Sequence, residues 1–192
     1  MKIRSFIALE LPSSIQSEII WQTTILREHY PNPIIRWVKQ GNIHLTLKFL
    51  GDISETDIEF LAKSLAHEAS QVDQFSISFT NLGIFPNPKK PRIIWIGINS
   101  PASLGEFQSK IEALTSRNGI QIEPRPFSPH ITLGRIAKNH SMLNIENLIV
   151  DIGSINVSDI DMVNICAIKI FKSDLKPDGP VYTAIHNIPL EK

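Results

Sequence analysis

The sequence predicts an α+β protein built from two similar lobes that face each other across a cleft. Two observations lead to this prediction. Segments with strand-like and helix-like patterns follow in the same order in each half of the chain, and one short motif occurs once in each half. The motif is His44-Leu45-Thr46-Leu47, and it returns 86 positions later as His130-Ile131-Thr132-Leu133. Facing lobes would bring the two histidines to opposite walls of one cleft.

The elements of the first half follow from hydrophobic spacing and from residues that cap or break regular structure. Apolar residues at alternate positions predict strands, apolar residues three or four apart predict helices, and proline or glycine marks the ends. Ser54 and the acidic residues after it are expected to begin a helix. The predicted order is a strand at 3–9, a helix at 12–27, a strand at 34–38, the first motif strand, a helix at 54–69 with Phe60, Leu61, Leu65 and Ala69 on its apolar side, and a strand from 75 to 79 or as far as 85.

The second half repeats this order after a stiff, basic, proline-rich loop at 86–92. Asn118-Gly119 is expected to stop the long helix of this half. The predicted elements are a strand at 92–98, a helix at 101–117, the second motif strand, a short helix at 142–149, and strands at 155–163, 165–171 and 181–188, with a Lys176–Pro180 loop before the last.

The length and composition of the chain are typical of a globular protein that can bury a sizeable core. Of 192 residues, 42% are hydrophobic, and 19 Lys and Arg balance 19 Asp and Glu. A formal net charge of zero disfavours a protein that coats long nucleic acids, but it is compatible with a local basic groove. No apolar stretch predicts a membrane span or a signal peptide, so a cytoplasmic protein is expected. The single cysteine, Cys166, lies in an apolar run and is predicted to be a buried structural thiol.

Each copy of the motif is expected to present an imidazole and a hydroxyl side by side. Successive side chains of a strand point to opposite faces, so His44 and Thr46 share one face, as do His130 and Thr132. The opposite face would carry the apolar residues Leu45, Leu47 and Phe49 in the first copy and Ile131 and Leu133 in the second.

Two facing histidines suit in-line displacement at phosphorus. Imidazole titrates near neutrality, so one ring can act as base on the attacking oxygen while the other protonates the leaving oxygen. The threonine hydroxyls can donate hydrogen bonds to the non-bridging phosphate oxygens, and a nearby arginine can offset the charge. Such chemistry needs no metal and no cofactor.

Plainer interpretations stand beside this one. A lone histidine on a strand is more often a rim residue, and a single His-x-Thr says almost nothing; it is the duplication that favours function. A metal site lacks a second cysteine, a His-Glu-x-x-His motif and a carboxylate within the motifs, so no metal is expected. Phosphate-binding glycine loops and the Gly-x-Ser-x-Gly elbow are absent too. The remaining histidines are interpreted as rim residues: His29, His67, His140 and His186.

At the two motifs the sequence resembles the two-histidine (2H) phosphoesterase superfamily, which is defined by paired His-x-Thr/Ser-x motifs. Within it the chain is most similar to the bacterial and archaeal RNA 2′,3′-cyclic phosphodiesterases, historically called 2′-5′ RNA ligases. The resemblance covers nearly the whole chain. It rests on 4–9 (RSFIAL), Trp37, 42–51 (NIHLTLKFLG), 83–86 (GIFP), 91–92 with Trp95, 127–135 (FSPHITLGR) and 179–182 (GPVY).

This resemblance implies a single bilobal 2H domain over 1–192, with mainly antiparallel sheets lining the cleft and helices outside. It implies metal-independent opening of a 2′,3′-cyclic phosphate to a 2′-phosphate. The first-motif histidine, His44, would be the proton donor to the leaving 3′ oxygen, and His130 the proton acceptor from water. Thr46, Thr132 and Arg135 would bind the phosphate.

Strand alternation opposes the last assignment. Arg135 falls on the face opposite His130 in a regular strand, and it reaches the cleft only if Gly134 marks a bulge or the end of the strand. The alternative for Arg135 is an ion pair at the rim.

The expected substrates are RNA 3′ ends that carry a 2′,3′-cyclic phosphate, or small cyclic nucleotides, acted on by a monomer. Two other hypotheses stay open: a 2′-5′ phosphodiesterase or the reverse joining reaction, and an RNA-end binding module without turnover. The basic loop Lys89–Arg92 is either an RNA backbone contact or an ordinary solvated loop. Phe6, Trp37 and Trp95 either stack a base or belong to the core.

Overall fold

The computed structural model of the protein describes residues 2–137, 144–177 and 179–191. The strands are β1 (Lys2–Glu10), β2 (Ile35–Trp37), β3 (His44–Ser54), β4 (Phe75–Phe85), β5 (Ile93–Asn99), β6 (His130–Ile136), β7 (Val163–Ile165), β8 (Ala167–Lys176) and β9 (Gly179–Pro189). The helices are α1 (Ser13–Gln22), α2 (Thr24–His29), α3 (Glu55–Ala69), α4 (Ala102–Arg117) and α5 (Ile145–Ser154). Across these ranges, no helix is both long and apolar enough to cross a membrane.

Within the described residues the nine strands form one antiparallel sheet. Its order is β7-β4-β5-β6-β3-β1-β8-β9, and β2 pairs with β6 beside this path. The two motif strands, β3 and β6, are the central neighbours and meet at the single pair Leu45–Ile131. Two groups of four strands, β7-β4-β5-β6 and β3-β1-β8-β9, therefore form the two lobes, and the motifs lie where they meet. The predicted α+β fold with two antiparallel lobes is confirmed.

Each lobe takes strands from both halves of the chain. β4, from the first half, lies beside β5 in the lobe of the second motif, and β8 and β9, from the second half, complete the lobe of the first motif. The sequence repeat and the structural lobe are therefore different units.

The main core lies between the sheet and the helices that cover it, chiefly α3 and α4. Ser54 caps α3 as predicted, because its hydroxyl accepts a hydrogen bond from the Asp57 amide at 3.1 Å. The apolar side of α3 is formed by Ile58, Leu61, Leu65 and Ala69. Phe60 was expected there, but its side chain is 59% exposed.

The predicted helix at 12–27 is broken in two at Thr23. This residue has φ −99° and ψ 10°, and its hydroxyl donates to the carbonyl of Ile19 at 2.8 Å. Threonine hydroxyls that bond back to the preceding turn distort helices, which explains why α1 ends here and α2 begins at the next residue.

Two further predictions in the second half are wrong. Residues 155–162 are not a strand, because α5 continues to Ser154 and the amide oxygen of Asn156 then accepts from the Ser158 amide at 3.0 Å in a turn. Cys166 is exposed rather than buried, since it sits at the break between β7 and β8. The predicted helix start at Met142 and the rim residue His140 lie outside the described residues.

Candidate active site

Both motif strands contain a β-bulge just after the threonine. In β3, Ala8 of β1 is opposite Thr46 and Ile7 is opposite Lys48, so Leu47 is the extra residue. In β6, Trp95 of β5 is opposite Thr132 and Ile94 is opposite Gly134, so Leu133 is the extra residue. The two bulges lie 86 positions apart, as the motifs do, and each reverses the alternation of the strand beyond it.

The bulges change which side chains face the cleft. Phe49 was predicted on the face opposite His44, but its side chain is 62% exposed and its ring lies 6.2 Å from that of Phe6, on the histidine face. Arg135 occupies the corresponding position in β6. It is exposed, and its charge acts on both His44 and Tyr182. The bulge beside Gly134 thus brings Arg135 to the cleft, next to Arg36, its direct partner on β2.

The two bulges are held by different means. At Gly134 an added Cβ would lie 2.7 Å from Ile35 and 2.9 Å from Trp37, so only glycine lets β2 approach this closely. The corresponding residue in β3 is Lys48, which is 4% exposed, pairs with the carboxylate of Glu112 on α4 and donates to the carbonyl of Gln121 at 2.7 Å.

The sheet brings the two motifs side by side. Leu45 and Ile131 are paired, and both are buried at 0% exposure, so His44, Thr46, His130 and Thr132 lie on the opposite face of their strands. Two imidazoles and two hydroxyls therefore lie on one face of the sheet, where the two lobes meet.

The two histidines are oriented by the same contact. Nδ1 of His44 lies 2.7 Å from the carbonyl of Asn42, and Nδ1 of His130 lies 2.7 Å from the carbonyl of Ser128. A carbonyl only accepts, so each Nδ1 carries the hydrogen and each Nε2 is left for the cleft. The neutral rings can accept a proton at Nε2, and the charged rings can donate one there.

The surroundings of the two rings differ. The His44 ring lies among Phe6, Tyr182 and Phe171, with ring centroids 4.8, 5.3 and 6.3 Å away. Burial lowers the pKa of His44 below its ordinary value, the bond to the Asn42 carbonyl opposes this in part, and the charge of Arg135 lowers the pKa further.

His130 is partly open to solvent and has Phe85 edge-on at 5.0 Å, with Trp95 at 6.3 Å. The two rings therefore lie in different environments, one enclosed by aromatic side chains and the other partly open to solvent.

Of the aromatic residues singled out in the sequence, Phe6 is buried at 3% exposure beneath His44. Trp37 donates from Nε1 to the Tyr30 carbonyl at 2.9 Å, and Trp95 stacks on Phe85 with ring centroids 4.9 Å apart. Among the described residues, no three metal-ligating side chains are grouped. In the basic loop Lys89, Lys90 and Arg92 are exposed.

Sequence reasoning missed Phe49 and Tyr182 as wall residues. Phe49 was hidden by the bulge. Tyr182 stands in the 179–182 segment that carried the resemblance, but nothing local shows that it packs against His44, which is 138 positions away.

Comparisons with known proteins agree with this geometry. The family model described as LigT like Phosphoesterase matches the chain twice, over residues 9–95 and 96–182. The RNA 2′,3′-cyclic phosphodiesterase of Methanothermobacter thermautotrophicus is 28% identical over 188 residues, 95% of this chain and 96% of that protein. The Aquifex aeolicus protein of the same name is 32% identical over 157 residues, 81% of each chain. A solved structure from Thermus thermophilus has a TM-score of 0.78 at 25% identity, with 98% of both chains covered. The chain belongs to the family of LigT-like phosphoesterases.

Proposed function

We propose that this phosphoesterase hydrolyses 2′,3′-cyclic phosphate ends of RNA to 2′-phosphomonoesters by a two-histidine mechanism. The observation that carries the proposal is the position of the two His–Thr pairs on one face of the sheet where the motif strands meet, with both histidines oriented by the same carbonyl contact. The names of the relatives from Methanothermobacter and Aquifex support the choice of substrate.

In the proposed step His130 is the base and His44 the acid. Nε2 of His130 removes a proton from water, the oxygen attacks phosphorus, and the bond from phosphorus to the 3′ oxygen breaks. Nε2 of His44 gives its proton to that oxygen, which leaves a 2′-phosphate and a 3′-hydroxyl. The pair ends with His130 charged and His44 neutral, and exchange with solvent restores the starting state.

The phosphate is held by hydroxyls and by a guanidinium. Thr46 and Thr132 would donate to the non-bridging oxygens, and Arg135 would offset the charge that develops on them. Arg36, beside Arg135 on the same face, adds positive charge where an RNA strand would approach. Acid, base and countercharge all come from side chains, so the proposed reaction uses no metal and no cofactor.

We further propose that 1–192 acts as one domain and as a monomer in the cytoplasm. Both histidines, both threonines and Arg135 come from a single chain, so the proposed reaction needs no residue from a second copy.

The direct test is the reaction itself in excess chelator. Wild-type protein in EDTA is expected to convert an oligoribonucleotide with a 2′,3′-cyclic end to a product with a 2′-phosphate, identified by mass and by phosphatase sensitivity. A 2′-5′-linked oligonucleotide run in parallel separates the alternative activity. Activity lost in EDTA and restored by a divalent metal would contradict the mechanism, and RNA binding without conversion of either substrate would favour a binding module.

The lowered pKa of His44 predicts how rate depends on pH. The acid form of His44 is lost as pH rises through its pKa, which in the free enzyme lies below the ordinary value of about 6.5. The fall of kcat/KM should therefore begin at a lower pH than the fall of kcat, because bound phosphate raises the pKa in the complex. Arg135→Gln removes a charge that lowers this pKa and should move the fall of kcat/KM to higher pH. Coincident falls for kcat and kcat/KM in the wild type would contradict this prediction.

A further inference from the structure

Asn42 lies in the turn that leads into the first motif strand, and a contact with α1 holds this turn in place. Its neighbour Gly41 has φ +86°, a conformation that favours glycine, and the Gly41 amide donates to the side-chain oxygen of Gln16 at 2.7 Å. Gln16 is 5% exposed and donates in turn to the Leu11 carbonyl at 2.8 Å. The position of Asn42 is therefore set by a buried contact with α1.

Asn42 itself makes two hydrogen bonds that bear on His44. Its backbone carbonyl accepts from Nδ1 of His44 at 2.7 Å, and its side-chain Nδ2 donates to the carbonyl of Pro180 at 2.8 Å. Pro180 belongs to β9, which is the edge strand of the sheet and is separated from β3 by β1 and β8. The start of β9 must therefore bend over the cleft face for this bond to form.

The bond to Pro180 bears on the environment of the histidine. Tyr182 follows Pro180 by two positions, so it projects to the same face of β9. Its ring stands edge-on to His44 at 5.3 Å, with an interplanar angle of 88°, and lies 4.9 Å from Phe6. Tyr182 thus closes one side of the aromatic enclosure around His44, and Asn42 holds the segment that carries it.

We propose that Asn42 is a positioning residue for His44: its carbonyl orients the imidazole, and its side-chain amide holds the Pro180–Tyr182 segment against that ring. The proposal rests on the proposed function insofar as His44 is the acid of the reaction. One residue would then set the direction of the His44 ring through its backbone carbonyl and the hydration of that ring through its side-chain amide.

The second motif has the same carbonyl contact as the first but has no counterpart of the Asn42 side-chain amide. Ser128 occupies the position that corresponds to Asn42, and its carbonyl orients His130 in the same way at 2.7 Å. In the described part of the chain, the hydroxyl of Ser128 has no hydrogen-bond partner, and the residue is exposed. The repeat therefore shares the carbonyl contact, whereas the amide contact belongs to the His44 side alone.

The test is Asn42→Leu, which keeps the size of the side chain and removes the amide. Imidazole nitrogen resonances of the substrate-free protein are followed through a pH titration, and kcat and KM are measured on a cyclic-ended oligoribonucleotide. With Tyr182 released and water admitted, the His44 midpoint should move up. The value of kcat should fall about 10-fold, with a smaller change in KM, as for other residues that orient a reacting group. Ser128→Ala is the matched control and should leave the His44 midpoint at its wild-type value.

Asn42→Leu adds no charged or titratable group around His44 and removes none. These groups are Arg135 on β6, Tyr182 on β9, Arg4 on β1, whose charge acts on Tyr182, and the Glu10–Lys169 ion pair on β1 and β8, with Glu10 directly opposite His44. A shift of the His44 midpoint therefore reports hydration and orientation rather than a new charge.

A double-mutant cycle decides whether Asn42 acts through Tyr182. In a Tyr182→Leu background, Asn42→Leu should change the His44 midpoint much less than it does in the wild type. An equal change in both backgrounds, or no change in the wild type, would overturn the proposal. Because the titration needs no substrate, a wild type that hydrolyses nothing would refute the proposed function while leaving the role of Asn42 to be judged from the midpoints alone.

Discussion

Replacing either motif histidine by alanine is expected to lower kcat for a cyclic-ended oligoribonucleotide by about 10²- to 10⁴-fold. His130→Ala removes the group that activates water, and His44→Ala removes the group that protonates the leaving 3′ oxygen. Both variants should still bind RNA, because the threonines and Arg135 remain. Single-turnover rates, measured with enzyme in excess over substrate, test this directly.

A change of leaving group separates the two roles. An aryl phosphodiester that releases p-nitrophenolate needs no proton donor, so His44→Ala should recover most of its activity on that substrate while His130→Ala should not. His67→Ala, on the exposed side of α3, is the matched control for loss of an imidazole. A His130→Ala variant rescued by the aryl substrate, with His44→Ala left inactive, would reverse the assignment of acid and base.

Lys48→Met is expected to lower the free energy of unfolding by about 3–5 kcal/mol, because it leaves the Glu112 carboxylate without its partner. The side chain of Lys48 is 4% exposed and that of Glu112 is 18% exposed. The same substitution removes the donor to the Gln121 carbonyl and the anchor of the first bulge. Denaturant unfolding curves, read as a change of midpoint at constant slope, give the measurement.

Two further variants make this result interpretable. Lys48→Met combined with Glu112→Leu should recover much of the lost stability, since no unpaired charge stays buried. Lys110→Met breaks a more exposed ion pair with Glu68, 3.6 Å apart, and should cost less than about 1 kcal/mol. A Lys48→Met variant no less stable than Lys110→Met would show that the buried pair does not hold the bulge.

The repeated motif was enough to single out the two histidines and the two threonines and to predict two lobes. Side chains of a strand alternate between faces, so the motif itself indicates that each histidine shares a face with its threonine. The same alternation gave the wrong face for Phe49 and left Arg135 dependent on a bulge. A bulge is decided by the partner strands, here β1 and β5, and by the residue that fills the space behind it, Lys48 or Gly134. These are contacts between distant parts of the chain, which spacing along one strand does not report.

Tertiary contacts also explain the smaller misses. The hydroxyl of Thr23 competes with the helix that the hydrophobic pattern predicts, and an apolar run around Cys166 is interrupted where one strand ends and the next begins.

Each lobe contains strands from both repeats, so part of the surroundings of each histidine comes from the other repeat. The edge-on ring beside His44 is Tyr182, from the second repeat, and the edge-on ring beside His130 is Phe85, from the first. A chain with only one repeat would lack part of its own lobe and could supply it only by swapping strands with a second copy. Joining the two copies in one polypeptide makes that swap intramolecular, at the high effective concentration that a covalent tether gives. Tandem duplication thus replaces an intertwined homodimer, whose two sites would be identical in sequence, by a single chain. In this chain the two repeats can differ in sequence, and the corresponding strand position is Phe49 in one and Arg135 in the other.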